Sequence, residues 1–375
     1  MRRVTVFVFG LWLVGGMTLA DDVTAVEARL QRAGANRAQL EKALGAVHGE
    51  AQTGMRFLVE HMPEQDLKTV TAELLIENVR AAYDIQKSVS WKIPQGIFLN
   101  NVLPYASINE RRDNWRRDFY KRFAPLVKDA KTPAVAAAIL NQRVFPMTGV
   151  KYSTKRRKAD QSPYESMESG LASCTGLSIL LIDACRACGI PARFVGTPLW
   201  SDGSGNHSWV EIWSNGKWHF TGAAEPTGQQ LNRAWFLGRA GKANREHRLH
   251  AIYATSFRTT PLKFPMVWNR AYQDISCVNV TDRYTALTKP VPAGMARVRF
   301  RCIEPQGGAR LRVQFSVRNL EDRIVFSGRT NDDGFDANDH VTAELRLNEN
   351  YTVTIGDAVT KFTVSKDEQL IDVRR

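Results

Sequence analysis

Cysteine is scarce in this chain, with five in 375 residues, which excludes a small fold stapled together by disulfides. Long hydrophobic runs are scarce as well. The main one, Val4 to Met17, is broken by Thr5 and three glycines and falls short of the roughly 20 residues that a bilayer span needs. Acids are outnumbered, 38 against 51 lysines and arginines, giving a formal charge of +13. No motif that reads DNA or RNA accompanies that surplus, so nucleic acid is not an expected partner. An anionic surface, such as an acidic glycan or lipid head groups, is the kind of contact the charge could favour. A hydrophobic fraction of 43% with 24% charged residues excludes a disordered chain.

What is present begins with a leader. Arg2 and Arg3 precede the apolar run, and Thr18-Leu19-Ala20 ends it with the small residues a signal peptidase accepts. Residues 1–20 are therefore expected to be a cleaved signal peptide, and the protein to be exported, periplasmic or extracellular. Losing two arginines and no acid leaves +11. An odd number of cysteines in an oxidising compartment leaves at least one thiol unpaired, and that thiol calls for a function.

At this length two or three domains are expected. Residues 21–145 read as a helical region. Val26 to Leu30 and Leu40 to Leu44 carry helical spacing, Asp66 stands where an N-cap belongs ahead of Leu67, Val70, Leu74 and Leu75, and Thr132-Pro133 opens a further helix. Residues 146–260 read as the catalytic core and 261–292 as a linker. Residues 293–375 alternate in short runs, such as Ala296 to Arg301, Leu311 to Val317 and Tyr351 to Ile355. Turns such as Asn331-Asp332-Asp333-Gly334 separate them, the pattern of a β-sandwich.

The core carries the chemistry. Leu177, Leu180, Leu181, Ala184 and Cys188 form one helical stripe, Ser173 is a natural N-cap, and Gly189 with Pro191 is a natural stop. Cys174 is thus placed in a first helical turn, where unpaired backbone N–H groups and the positive dipole end attract negative charge. Further on, His207 opens an apolar run that meets a second one, Trp218-His219-Phe220, across Asn215-Gly216, a strong two-residue hairpin signal. The turn sets Trp213 opposite Trp218 and Val210 opposite Thr221. A bulge near Gly222 would then bring Glu225 opposite His207 as the carboxylate that orients the imidazole.

Three separated blocks, Cys174-Thr175-Gly176, Gly189-Ile190-Pro191-Ala192-Arg193, and Asn206-His207-Ser208-Trp209-Val210-Glu211 followed by Trp218, resemble the core signature of the transglutaminase-like superfamily. The upstream Met62-Pro63 and Val102-Leu103-Pro104-Tyr105 resemble the helical part of exported bacterial members. The C-terminal region resembles an Ig-like or carboxypeptidase-regulatory-like sandwich. The resemblance implies an α+β fold with a papain-like core, the cysteine heading a helix and the histidine starting a strand. The family's aspartate falls where this chain has Gly222, and Glu225 is the nearest acidic substitute.

The expected site is therefore Cys174 as nucleophile, His207 as base and Glu225 as orienter, with Gln161, Trp200 and Trp209 as candidates to line it. The implied reaction is acyl transfer through a thioester at an amide of a peptide, protein or glycopeptide, with hydrolysis favoured over cross-linking and no metal or organic cofactor. The alternative is a catalytically inactive scaffold or cell-surface binding protein that keeps the fold. His219 and Glu211 read as structural, Cys185 and Cys188 as small core residues, and Cys277 and Cys302 could pair.

Overall fold

The computed structural model describes residues 19–306 and 308–374. The leader expected at 1–20 lies outside them through residue 18, and Leu19 and Ala20 open the first helix. None of the helices of the described residues is long and apolar enough to cross a membrane.

Six helices come first: α1 (Leu19–Arg32), α2 (Arg37–Gly45), α3 (Glu50–His61), α4 (Glu64–Thr69), α5 (Ala72–Ser88) and α6 (Gln95–Asn101). They enclose a core of their own built on Leu40, Met55, Leu58, Leu67, Leu75 and Val79. Asp66 is not a cap. It lies inside α4, buried, with Arg112 Nε 3.0 Å away and the Tyr105 hydroxyl donating to it at 2.8 Å. Its carboxylate is spent on those two partners, and Thr71 caps α5 instead, accepting from Leu74 N–H.

The next helices, α7 (Arg116–Val127) and α8 (Pro133–Thr148), leave this bundle and pack into a second, central core. Thr132 caps α8 with proline at its first position, as the sequence indicates. A short parallel pair, β1 (Lys151–Tyr152) and β2 (Leu171–Ala172), brackets α9 (Pro163–Ser169). The central helix α10 (Cys174–Ala187) follows, then β3 (Ala192–Thr197), β4 (His207–Ser214), β5 (Lys217–Thr221), α11 (Leu237–Ala240) and β6 (Tyr253–Thr255). The sheet runs β5-β4-β3-β6-β7, antiparallel throughout, and its last strand is β7 (Cys277–Asn279).

Residues 261–292 are therefore not a linker. They supply β7 and then α12 (Thr281–Thr285), whose buried Tyr284 accepts a hydrogen bond from the Trp209 indole at 2.7 Å and donates one to Glu211 at 2.8 Å. Phe264, Met266, Ile275 and Cys277 of the same stretch complete the core. Their spacing follows an irregular path over the sheet edge, so periodicity does not reveal them.

The C-terminal region is a two-sheet sandwich. Its strands are β8 (Met295–Ile303), β9 (Arg310–Leu311), β10 (Gln314–Arg318), β11 (Ile324–Arg329), β12 (Val341–Arg346), β13 (Asn350–Ile355), β14 (Ala358–Thr363) and β15 (Gln369–Arg374). One sheet is ordered β11-β10-β13-β14 and the other β12-β8-β15, with β9 on β8. Alternate residues such as Val298, Phe300, Phe315, Val317 and Val353 fill the space between them. Cys302 sits in that core and Cys277 in the central one, both as free thiols, so the pairing considered from sequence does not form.

The two units are locked by charge. Asp202, in the loop before β4, receives Arg239 at 3.3 Å and Arg299 of β8 at 3.0 Å. Lys242 and Arg297 meet Asp367 and Glu368. Arg299 is 7% exposed. A cation so buried is stable only while its partners stay in place.

Candidate active site

Ser173 caps α10, its hydroxyl accepting from Gly176 N–H at 3.1 Å and donating to the Ala159 carbonyl at 2.6 Å. Cys174 is thereby fixed as the first helical residue, half-buried at the floor of a cleft of about 750 Å³. Thr175 and Ser208 hydroxyls, 3.0 Å apart, tie the helix to β4 one residue past His207. Arg193 braces the strands from the far end. It pairs with Glu211 at 2.6 Å and lies over the Trp218 ring at 3.8 Å, which gives the Pro-Ala-Arg block and Glu211 structural roles.

The hairpin has the expected register, Val210 opposite Thr221 and Trp213 opposite Trp218, but pairing stops at that first couple. No bulge carries it on to His207. Asn141 of α8 donates to the Thr221 hydroxyl and the Gly222 carbonyl, and accepts from Ala224 N–H. The chain turns there, with Glu225 N–H on the Gly222 carbonyl at 3.2 Å and Ala224 at φ +64. Glu225 folds back over Gly222 so closely that a Cβ on residue 222 would lie 1.9 Å from its Oε2. Glu225 lines the cleft but does not orient the imidazole.

The carboxylate against His207 is Asp336, from the β11–β12 loop of the sandwich. Its Oδ2 lies 3.4 Å from His207 Nδ1, and ligand atoms of Cys174, His207 and Asp336 all fall within 4.8 Å of one another. That loop is stitched down on every side. Asn338 donates to Asp336 Oδ1 from its backbone at 2.9 Å and to the Asn206 carbonyl from its amide at 3.3 Å. Arg310 donates to the carbonyls of Phe335 and Asp336, and Ala337 N–H to the Tyr152 hydroxyl at 2.9 Å. Gly205, at φ +131, takes a backbone conformation that few other residues adopt and brings the core loop against Asn338.

Burial, the largest single influence, would push His207 down, and the charges of Asp336 and Cys174 oppose it. With hydrogen bonding to Asp336 and Cys174 added, the imidazole is held well above its ordinary value. Burial would raise Asp336, and His207 with the Asn338 donors holds it below the usual carboxylate range. Glu225 is pushed up to about 7, first by burial and then by the Asp336 charge, against the pull of His207. Asp339, on the same cleft wall, is pushed up to about 6 by burial and Asp336. The pattern is one ionised acid at the histidine and two that resist ionising around it.

The shift at Glu225 has a stability consequence. Its folded value lies above its unfolded one, so the contribution to stability is fully present below about pH 4.5 and is lost as pH rises through about 7. At pH 8 that loss is on the order of 3 kcal/mol, at about 1.36 kcal/mol for each unit between 4.5 and about 7. Denaturant midpoints at pH 5 and pH 8 should diverge less for Glu225→Gln than for the unaltered chain. An equal drop in both would remove this account.

The remaining expected site residues lie elsewhere. Trp200 and Trp209 are 2% and 0% exposed, stacked on each other and on His207 behind the ring. They fix the imidazole and do not face substrate. Gln161 is fully buried, its amide donating to the carbonyls of Glu165 and Leu171 and to the Ser169 hydroxyl. None of the three lines the cleft, whose walls include Phe145, Tyr152, Leu177, Trp235 and Phe335. Cys185 and Cys188 are core residues with thiols pushed up by burial, and His219 pairs across from Ile212 at the surface. The one signal for Asp336 in the sequence is an excess: four aspartates between residues 332 and 339, more than a turn requires. Cys174, His207 and Asp336 also form a sulfur, nitrogen and oxygen donor set of the kind that zinc accepts with one place open.

Residues 121–222 match the family model described as the transglutaminase-like superfamily. This segment belongs to that superfamily. The match begins inside α7 and closes at Gly222, so the transglutaminase-like core includes Cys174 and His207 and excludes Asp336. Among solved structures, the chain is similar to a proposed cysteine protease from Cytophaga hutchinsonii, at 15% identity and TM-score 0.26 over 44% of this chain and 52% of that one. It is also similar to the Bacillus anthracis TIE protein, at 11% and 0.18 over 50% and 30%. A third is a C-terminal fragment of the pilus adhesin SpaC from Lactobacillus rhamnosus GG, at 10% and 0.17 over 49% and 87%. The chain spans about half the length of the first and under a third of the second. No curated protein matches it.

Proposed function

We propose that this chain is an exported thiol enzyme acting on amide bonds of peptides, proteins or glycopeptides through a thioester. Cys174 sulfur attacks the amide carbonyl, and His207 passes the proton to the departing amine as the C–N bond breaks. Water then attacks the thioester and His207 takes its proton. The C–S bond breaks, releasing the acid and restoring the thiol. Asp336 orients the imidazole and stabilises its charged form, and the first-turn N–H groups of α10 are suited to the carbonyl oxygen as it gains charge. Hydrolysis is preferred over cross-linking on family grounds.

The observation that carries this reading is the meeting of thiol, imidazole and carboxylate at one cleft, each held by separate packing. The rival reading, an inactive scaffold, drew on Gly222 standing where the family's aspartate is expected. With Asp336 against His207 that argument lapses.

The test exposes purified protein and its Cys174→Ala variant to peptide and glycopeptide pools and follows release of free amine. Iodoacetamide modification of Cys174 is followed in parallel. Amine release confined to the unaltered protein is expected, with Cys174 alkylated at least about tenfold faster near neutral pH than an unstructured thiol. Identical amine traces and ordinary alkylation would remove the proposal.

A further inference from the structure

We propose that residues 151–158 form a basic rim that docks acidic peptide, so that the substrate carries carboxylates within a few residues of the reacting amide. This rests on the amide-acting reading above and names its substrate class.

The segment Lys151-Tyr152-Ser153-Thr154-Lys155-Arg156-Arg157-Lys158 holds five cations and no acid. It grows directly out of the cleft, since Lys151 and Tyr152 line its wall and the Tyr152 hydroxyl accepts from Ala337 N–H of the sandwich loop. Its start is anchored by Ser153 N–H on the Ala172 carbonyl at 2.9 Å. The turn after it is held by Lys155 N–H on the Ser153 hydroxyl and by Arg156 on the Thr154 carbonyl. The cations are thus presented on ordered backbone. Arg157 and Lys158 are paired with Glu168 and Glu165. Lys151, Lys155 and Arg156 have no carboxylate within 4 Å among the described residues. Burial is the main cause that pushes the Tyr152 phenol up; the Cys174 sulfur adds to it and the Arg156 charge opposes it. Arg143 and Arg233, neighbours of the cleft-lining Gln142 and Ala234, are exposed and have no carboxylate within 4 Å among the described residues.

The interior is walled by carboxyl groups, Asp336, Glu225 and Asp339, and its imidazole, His207, is already paired with Asp336, so it offers an incoming anion no free partner. An anionic group is therefore left unpaired at the reacting position and attracted at the mouth, which assigns the acids to flanking residues. The apolar walls, Phe145, Leu177, Trp235 and Phe335, fit a peptide with side chains. A sulfated glycan would satisfy the cations and leave those walls without a partner. Each exposed ion pair contributes little alone and is screened by salt, so the effect is collective and salt-sensitive.

The probe is fluorescein-labelled hexaglutamate, followed by anisotropy with the full chain. Binding is expected to weaken at least about tenfold between about 50 mM and about 500 mM salt. The triple variant Lys151→Glu, Lys155→Glu, Arg156→Glu is expected to bind at least about tenfold more weakly. Arg329→Glu with Lys361→Glu, on the two edge strands β11 and β14 of one sandwich sheet, should leave binding as it was. Saturating hexaglutamate is also expected to slow Cys174 alkylation by iodoacetamide. No binding by the unaltered protein, equal binding by the folded triple variant, or binding that leaves Cys174 unprotected overturns the proposal. Tighter binding of heparin, or of phosphatidylglycerol vesicles, at matched charge overturns it in favour of those surfaces. Because binding needs no turnover, rim-dependent, thiol-protecting binding without amine release would sink the amide-acting reading and leave the docking rim standing.

Discussion

Asp336→Asn is expected to lower turnover by about 10²- to 10⁴-fold while leaving the fold intact, the range seen when a triad loses the acid that orients its histidine. His207 is 1% exposed and packed among Trp200, Trp209, Trp235 and Phe236. In that apolar setting its charged form depends on Asp336, since burial alone pushes the imidazole down. The sign follows. Without the carboxylate the ring loses its proton at lower pH, which NMR of the ring protons across a titration reads directly. Glu225→Gln is the control, expected to change turnover less than about tenfold, because it removes a cleft carboxyl and no partner of the imidazole. The reverse ranking, with Glu225→Gln crippled and Asp336→Asn near normal, would restore the acid assignment drawn from the hairpin.

Arg299→Glu is expected to have the second largest effect, although Arg299 lies outside the cleft. It bridges Asp202 of the core to Glu368 of the sandwich, and reversal would bury three acids together. Breaking such a pair costs about 3–5 kcal/mol. The loss falls on the contact that presents Asp336, so alkylation of Cys174 should slow at least tenfold with the aromatic signals of both cores retained. Arg329→Glu, on the free edge of the sandwich, should leave the rate as it was. If Arg299→Glu leaves alkylation unchanged while Asp336→Asn abolishes it, docking does not depend on this bridge.

The local parts of the site were legible because each rests on short-range rules. Ser173 caps α10 with Cys174 at its head, and Asn215-Gly216 fixes a register that the strands obey to the residue. Thr132-Pro133 opens α8 for the same reason. The sandwich was legible as alternation, although β14 and β15 escaped and the run from Leu311 to Val317 breaks into β9 and β10. The misreadings share a cause. Asp66 reads as a cap until Arg112, 46 residues away, claims it. Trp200, Trp209 and Gln161 read as site residues by proximity in sequence to His207 or Cys174, whereas burial turns them inward.

The sequence by itself determined that a thiol heads a helix and an imidazole opens a strand, because helix capping and hairpin register act over a handful of residues. Its resemblance to the transglutaminase-like superfamily also implied an acid at the position where this chain has Gly222. Only the tertiary structure decided which acid replaces it. Asp336 is 129 positions beyond His207, in another core, and reaches it through docking contacts no local pattern encodes. Glu225, only 18 positions away, is turned aside by the hydrogen bonds of Asn141.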